Sequence, residues 1–371
     1  MSVEQLYKRL HQIPELAFEE FETSKLIQQE LCKIGIPFKV ICGTGVVGLI
    51  DVGKDKTILL RADIDALPIK EKTELEYSSK NDNMHACGHD AHVAMLLAAS
   101  KEIFSNKSKL NCNVKFIFQP GEERAGGASK LVNEGVLENP RVDACFAMHV
   151  WPSLAAGTLG LKNGVLTALG TRFTIEISAP GGHIAEVKPN KNPIYVASKI
   201  LTEVEKLWRK DARIHISKIK SGIGSGNIID TKCVMTGEAR VLCASDADNF
   251  ITTLRNICVK VGNETGLVVK FDFQIAKEYP SVVNNKGMNE LINQITLPYM
   301  AIKWIENPSF GCEDFSNYAQ NGAVSSFVLL GCTPSEYIGT NAIHTPIFKL
   351  DLSALSLGAK IFTDVALNYS G

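Results

Sequence analysis

The order of helical and strand-like segments changes once along the chain and then changes back, which constrains the fold more than any other feature. Up to about residue 170, helical segments such as "FETSKLIQQELCKIG", which ends at Gly35, alternate with strand-like segments such as "TILLRADID". From about 170 to 280 the order is β-α-β-β-α-β, and afterwards the first pattern returns with "SSFVLLG" and the closing helix "LSALSLGAKIFTDVALNY". The alternation predicts an α/β sandwich, and the six-element segment predicts a ferredoxin-like unit.

We therefore predict an α/β fold in which one domain is inserted into another. The larger domain would comprise residues 1–169 and 281–371, and the inserted domain residues 170–280. The inserted segment has the size of a compact domain, and a chain of 371 residues is long enough for about two domains.

Composition and charge exclude several classes of partner. The chain is 45% hydrophobic and 21% charged, with a formal net charge of -1 and a pI near 6.7. This balance gives no reason to expect binding to nucleic acid or to an anionic membrane, and no apolar run reaches the roughly 18 residues of a membrane span. The start, "MSVEQLYKRLHQIPEL", carries acidic residues and is unlike a secretory signal. We expect a cytoplasmic protein.

The cysteines are interpreted as reduced. Most stand in apolar or strand-like runs, without a CxxC pair, in a chain too long for a disulfide scaffold. They occupy positions 32, 42, 87, 112, 145, 233, 243, 258, 312 and 332. We expect nearly all of them to be small buried hydrophobic residues, with Cys87 as the exception because of its neighbours.

The segment "MHACGHDAH", residues 84–92, holds three of the eight histidines and one of the ten cysteines. Its cysteine and central histidine could serve a metal ion, a nucleophilic reaction or core packing. Cys87 and His89 are two residues apart, so an extended backbone would place their side chains on one side. Asp90 is a candidate N-cap for the helix predicted in "DAHVAMLLAASKEIF".

Other potential ligands follow predicted strands. They are Asp63 and Asp65 in "LLRADIDALP", Glu122 and Glu123 in "QPGEER", His149 in "FAMHVW", and His344 in the loop "AIHTP". Strand ends of an open α/β sheet are where ligands collect, and thiolate, imidazole and carboxylate suit a borderline divalent ion. Any one of these residues alone more often packs or faces solvent. We interpret His85 and His92 as loop or supporting groups, and His11 and His215 as structural or exposed.

The order of these motifs resembles the amidohydrolase branch of the dinuclear metallo-aminoacylase and carboxypeptidase family, almost from end to end. That branch includes hippurate hydrolases, auxin-amino acid conjugate hydrolases and N-acetyldiaminopimelate deacetylases. The resemblance rests on "HQIPELAFEE" (11–20), "LRADIDALPI" (60–69), "MHACGHDAH" (84–92), "FQPGEERAGGA" (118–128), "AMHV" (147–150), "APGGHIAE" (179–186), "GCEDF" (311–315) and "IHTP" (343–346).

The resemblance implies a zinc-peptidase-like α/β catalytic domain and a ferredoxin-like inserted domain that serves as lid and dimerisation domain. It implies five ligands for two divalent ions, with manganese or zinc expected and cobalt or nickel as alternatives: Cys87, His89, Glu123, His149 and His344. Glu122 would be the general base and acid. His183 would stabilise the oxyanion and reach into the site of the partner subunit of a homodimer.

The resemblance also implies an acid in "RADID" that orients a metal-bound histidine. Other branches of the family read H-x-D-x-V-P at this position. Alignment of "DALP" with that ending selects Asp65, whereas alignment of "RAD" with "HxD" selects Asp63. The sequence leaves both residues as candidates.

Three stretches depart from the family pattern. Val187 and Lys188 replace a Pro-His pair after His183, Asp230 replaces a proline in "NIID", and Arg124 follows the two acids of "PGEER". These differences concern substrate binding rather than the ligands. Lys188 could face an anionic group of the substrate, or it could be an ordinary solvent-exposed loop lysine.

The chemistry of amide hydrolysis agrees with this set of residues. A bound divalent ion lowers the pKa of water to about 7, and a neighbouring carboxylate can take its proton and return it to the leaving amine. We predict hydrolysis of N-acyl amino acids, such as N-acetyl or N-benzoyl conjugates, or of small peptides. The alternatives are a binding or regulatory protein with little turnover and a cysteine-dependent hydrolase. A cysteine nucleophile is disfavoured because the surrounding acids would raise the pKa of its thiol.

Overall fold

The computed structural model describes residues 1–222, 225–242, 244–275 and 279–371. Its helices are α1 (Val3–His11), α2 (Phe21–Ile34), α3 (His89–Ser105), α4 (Glu122–Ala125), α5 (Gly127–Asn133), α6 (Pro193–Glu205), α7 (Ala244–Thr265), α8 (Lys286–Thr296) and α9 (Ser353–Asn368). Its strands are β1 (Phe38–Ile41), β2 (Gly45–Ile50), β3 (Thr57–Asp63), β4 (Asn113–Gln119), β5 (Ala144–Ala155), β6 (Thr158–Leu161), β7 (Gly164–Val165), β8 (Leu169–Ser178), β9 (Gly182–His183), β10 (Ala212–Ser221), β11 (Ile228–Ile229), β12 (Lys232–Val241), β13 (Val268–Ile275), β14 (Val283–Asn284), β15 (Ala301–Trp304) and β16 (Val324–Thr333).

The described part of the chain divides into two compact units. The larger comprises Met1–Leu166, Val282–Asn307 and Glu313–Gly371, and the smaller comprises Thr167–Ser281 and Pro308–Cys312. No helix within the described residues is both long and apolar enough to cross a membrane.

The larger unit is built around a mixed sheet of order β1-β2-β4-β3-β5-β16-β6-β15. Strands β4, β3, β5 and β16 are adjacent in this order, and each pair of neighbours among these four runs parallel. Because side chains alternate along a strand, Ile58 and Leu60 of β3 enter the core on one face of the sheet and Leu59 enters the core on the other. Apolar cores on both faces are what buried parallel strands require.

The smaller unit has the predicted β-α-β-β-α-β order, formed by β8, α6, β10, β12, α7 and β13. Its four strands form an antiparallel sheet of order β10-β12-β8-β13. This is the ferredoxin-like arrangement of the fold prediction, with helices α6 and α7 packed together. Alternating apolar residues such as Phe173, Ile175 and Ile177 fill the core of this unit.

The cysteines differ in part from the prediction. The nine cysteines within the described residues are free, and six of them are buried, but Cys32 is exposed and Cys42 and Cys312 are partly exposed. Cys243 lies outside the described residues.

Candidate metal centre

The candidate site of the larger unit lies where parallel strands end. Asp63 is the last residue of β3 and pairs in register with Gln119 of β4. His149 lies in the neighbouring strand β5. The remaining candidate groups lie in loops or in the first turns of helices that follow strands, so the fold gathers residues that are far apart in the sequence.

Cys87 and His89 come together in a way that the sequence did not predict. The expectation of extended backbone is wrong, because Gly88 adopts a left-handed conformation, with φ of 84°, and His89 begins α3. A Cβ atom on Gly88 would lie 2.4 Å from Val150 Cγ2, so the turn requires glycine. Asp90 is not the N-cap of this helix; Gly88 occupies that position, and the Asp90 carboxylate instead lies 2.6 Å from His11 Nδ1.

Donor atoms of the five predicted ligands converge. Cys87 Sγ lies 3.4 Å from His149 Nε2 and 3.2 Å from His344 Nε2, and His344 Nε2 lies 3.3 Å from Glu123 Oε1. Cys87, His89 and His149 together offer ligand atoms within 4.8 Å of one another. Ligand atoms that share one tetrahedral ion lie roughly 3.5 Å apart, so these separations fit shared ions.

Hydrogen bonds leave the ring nitrogens that would bind metal available. His149 Nδ1 donates to the Val150 carbonyl at 2.7 Å, and His89 Nδ1 donates to the Asp65 carbonyl at 2.9 Å. A carbonyl oxygen only accepts, so each Nδ1 carries a hydrogen, and each Nε2 offers its lone pair to a metal ion when the ring is neutral. His89 Nε2 is buried and has no hydrogen-bond partner within the described residues. The donor set therefore fits divalent metal ions.

Both candidate orienting acids approach His89, but at different ring nitrogens: Asp63 Oδ2 lies 3.5 Å from Nε2, whereas Asp65 meets Nδ1. Asp65 Oδ1 lies 3.3 Å from His89 Nδ1, and the Asp65 carboxylate also accepts the backbone N–H groups of Glu122 and Glu123 at 3.1 and 3.0 Å. Asp63 lies 2.5 Å from His92 Nδ1 and also pairs with Arg61 at 2.7 Å. Asp65 thus links a candidate ligand to the turn that carries the two glutamates.

His92 and His85 both lie in the interior beside the site. His92 Nε2 accepts the backbone N–H of Val150 at 3.0 Å, so its other nitrogen donates to Asp63. This agrees with the interpretation of His92 as a supporting group. His85 is buried, neither ring nitrogen has a partner within the described residues, and burial lowers the pKa of its ring to about 4.

Burial and neighbouring acids raise the pKa values of two candidate site residues, Cys87 and Glu122. Burial and then Glu123 raise the pKa of the Cys87 thiol well above its ordinary value. A nucleophilic cysteine requires the opposite shift, so the geometry disfavours a thiol enzyme. Burial, followed by Glu313 and Asp314, raises the pKa of Glu122 well above its ordinary range. A more basic carboxylate is a better proton acceptor for catalysis near neutral pH.

A buried ionic network behind the site was missed by the sequence reasoning. Arg61 bonds Asp63, Glu313 Oε1 and Asp314 Oδ1 at 2.7, 3.0 and 3.0 Å, and it also donates to Gln119 Oε1 at 2.8 Å. The available clue was a charged residue inside an otherwise apolar strand, since burying a charge is costly unless it is paired.

His183 and Lys188 lie in the smaller unit, where both side chains are exposed. His183 belongs to β9, which pairs with β11, and its Nδ1 accepts the backbone N–H of Ala185 at 3.3 Å. The hydrogen of its neutral ring therefore resides on Nε2, which can donate to an oxyanion. Two other residues depart from the family pattern. The Asp230 carboxylate accepts the backbone N–H of Gly222 at 2.7 Å, and the Arg124 side chain lies outside the described part of the structure.

Comparisons with known proteins identify the family of the chain. Residues 59–368 match the model of peptidase family M20/M25/M40. The chain is 33% identical to IAA-amino acid hydrolase ILR1-like 4 of Arabidopsis thaliana, over 98% of this chain and 84% of that protein. It is 33% identical to the N-acetylcysteine deacetylase of Bacillus subtilis (strain 168), over 96% and 94%. The structure of the Bacillus subtilis YXEP protein, described as a dinuclear metal-binding peptidase of the M20 family, matches with a TM-score of 0.86 and 32% identity, over 98% and 96%.

Proposed function

Because the chain belongs to peptidase family M20/M25/M40, we propose that it is a metal-dependent amidohydrolase that cleaves the amide bond of N-acyl amino acids. The observation that carries this proposal is the convergence of Cys87, His149, His344 and Glu123 around shared positions for a divalent ion. Relatives that hydrolyse IAA-amino acid and N-acetylcysteine support an acyl amino acid as the substrate class.

We propose two divalent ions per chain, manganese or zinc, held by the five residues that the resemblance implied. When bound, the ions would lower the pKa of a water molecule to about 7 and polarise the amide carbonyl. Glu122 would take the proton from that water and return it to the leaving nitrogen. Its neighbour Glu123 would remain a ligand, so adjacent carboxylates perform different tasks because their side chains have different partners.

The direct test is turnover by the metal-loaded protein. A screen of N-acetyl, N-benzoyl and IAA-amino acids, together with dipeptides, should yield an amide hydrolysis product with at least one substrate in the presence of Mn or Zn. A correctly folded, metal-loaded protein that turns over none of these substrates would favour the binding or regulatory alternative.

Asp65 is the acid that we propose to orient His89. Asp65→Asn keeps the size of the side chain but replaces one accepting oxygen with an NH2 group, which cannot accept a backbone N–H of the turn. Loss of such a supporting carboxylate typically costs 10–100-fold in metal affinity or activity, so we expect Asp65→Asn to lower kcat/KM by about that factor. Asp63→Asn is the matched control and should have a smaller effect, and the reverse order would transfer the role to Asp63.

We propose a homodimer formed through the smaller unit, in which His183 of one subunit serves the active site of the other. Support comes from the exposed position of His183 and from β10 and β13, the edge strands of its sheet, which have backbone groups available for pairing. We also propose a cytoplasmic location, which free cysteines support, since disulfides are rare there.

Subunit mixing tests the shared site. His183→Ala and Glu122→Gln chains should each be inactive alone, but together they should recover about a quarter of wild-type activity if subunits assemble at random. The reason is that half of the dimers are mixed and each mixed dimer has one complete site. Mixed dimers demonstrated by two affinity tags, but without activity, would mean that each chain uses its own His183.

A further inference from the structure

The turn that carries Glu122 and Glu123 is held by two carboxylates. Its three successive backbone N–H groups are all accepted by acids: that of Gly121 by Glu20 Oε1 at 3.0 Å, and those of Glu122 and Glu123 by Asp65 at 3.1 and 3.0 Å. Asp65 already has a proposed role through His89. Glu20 lies 101 positions before Gly121 in the sequence, and the function described above gives it no task.

Glu20 is buried completely, and both of its oxygens are engaged. Oε1 accepts from Gly121, and Oε2 accepts the hydroxyl of Thr44 at 2.6 Å. The residue is found in no ion pair within the described part of the chain, and burial raises the pKa of its carboxyl group to about 7. A buried carboxyl group that meets only neutral donors is costly for a fold, so a purely apolar packing role would be served better by an apolar residue.

The segment that contains Glu20 also packs against the turn and leaves no space for a side chain at Gly121. Gly121 has a left-handed backbone, with φ of 66°, and a Cβ atom there would lie 2.5 Å from Phe18 Cε2. Phe18 therefore packs against the α-carbon of the same residue whose N–H is bound by Glu20. Nearby, the backbone of Ala66 donates to the Glu15 carbonyl at 2.8 Å, so the segment from Glu15 to Glu20 braces both the loop of Asp65 and the turn of Glu122.

We propose that Glu20 is a positioning residue that holds the Gly121 turn so that Glu122 is fixed for proton transfer. The inference rests on the proposed function, in which Glu122 is the general base. A base must lie within hydrogen-bond reach of the proton that it takes, and a displacement of 1 Å can cost about 10²-fold in rate. The loss of Glu20 should therefore lower kcat. The metal should remain, because four proposed ligands lie on other segments and the N–H of Glu123, the ligand on this turn, is held by Asp65 rather than by Glu20.

A matched pair of variants tests this role. Glu20→Gln retains an oxygen that can accept the Gly121 N–H, whereas Glu20→Met has a similar length and no such acceptor. We expect Glu20→Met to lower kcat by about 10–100-fold at unchanged KM and metal content, and Glu20→Gln to restore most of the rate. Substrate is the N-acyl amino acid that wild type hydrolyses fastest, and metal content is measured by elemental analysis.

The unfolding midpoint of each variant separates positioning from simple stability. A merely structural role would lower the midpoint and leave the kcat of the folded protein unchanged, and that result would overturn the proposal. Equal kcat values for Glu20→Met and Glu20→Gln would overturn it as well. If Glu20→Met does not fold, the test uses Thr44→Val, which removes the hydroxyl that donates to Oε2 of Glu20. A fall in kcat of roughly fivefold, as expected for one lost hydrogen bond, supports the proposal. An unchanged kcat contradicts it.

The experiment also distinguishes this proposal from the function on which it rests. Wild-type protein that is loaded with metal and hydrolyses no N-acyl amino acid removes the proposed function. Active wild type with fully active Glu20→Met removes only the role of Glu20.

Discussion

Replacement of Glu122 by glutamine should lower kcat by roughly 10²–10⁴, the usual cost of a lost general base, and leave the bound metal in place. Glutamine keeps the size and polarity of the side chain but cannot take a proton. The cause lies in the site, where burial, Glu313 and Asp314 raise the pKa of Glu122 and so make its carboxylate a stronger base. Steady-state kinetics on a metal-loaded sample, with elemental analysis of the same sample, provide the measurement.

Glu123→Gln is the control, because it changes the neighbouring residue in the same way. Glu123 Oε1 lies 3.3 Å from His344 Nε2, among the donor atoms that would share an ion. We therefore expect Glu123→Gln to lose metal, with activity that falls in proportion to occupancy. If Glu123→Gln kept its metal and Glu122→Gln lost it, the roles of the two glutamates would have to be exchanged.

Removal of the metal should abolish nearly all amide hydrolysis, and addition of Mn or Zn should restore it. The thiol of Cys87 lies between the imidazoles of His149 and His344, at 3.4 and 3.2 Å. Without a cation, burial and Glu123 hold its pKa well above the ordinary value, so the thiol is protonated and is a poor nucleophile. Activity is measured before and after dialysis against a chelator, and both samples are analysed for metal. Elemental analysis of the active sample should give up to two ions per chain.

Two cysteine variants control for effects on thiols in general. Cys87→Ser should lose metal and activity together, because a hydroxyl is a weaker ligand than a thiolate. Cys32→Ser changes an exposed cysteine and should keep both. Chelator-insensitive activity in a protein without transition metal would contradict the dinuclear site and would return the cysteine-dependent hydrolase to consideration.

The sequence was sufficient for features that depend on local patterns. The order of helical and strand-like segments between about 170 and 280 predicted the elements of the smaller unit. Gly35 marked the end of α2, where it adopts a left-handed conformation with φ of 89°. Such patterns are readable because hydrophobic periodicity and backbone conformation are determined by residues a few positions apart. The ferredoxin-like unit and the α/β class were predictable for the same reason.

The candidate site residues could be named from short motifs and from the family resemblance that those motifs carry. Cys87, His89, Glu122 and Glu123 stand in dense motifs, so their residue types and order indicated metal chemistry before any contact was known. Their exact partners were not predictable in this way. The choice between Asp63 and Asp65 depends on which carboxylate meets His89 at Nδ1 rather than at Nε2, and that is decided by the path of the chain after β3.

Contacts across long stretches of sequence were decided by the tertiary structure alone. Asp90 was expected to cap α3 but pairs with His11, 79 positions away, and Arg61 binds Glu313, 252 positions away. Glu20, just before α2, bonds Gly121, in the turn after β4, although 101 positions separate them. A local pattern carries no information on such pairs, since their free energy depends on burial and geometry that exist only after the chain has folded.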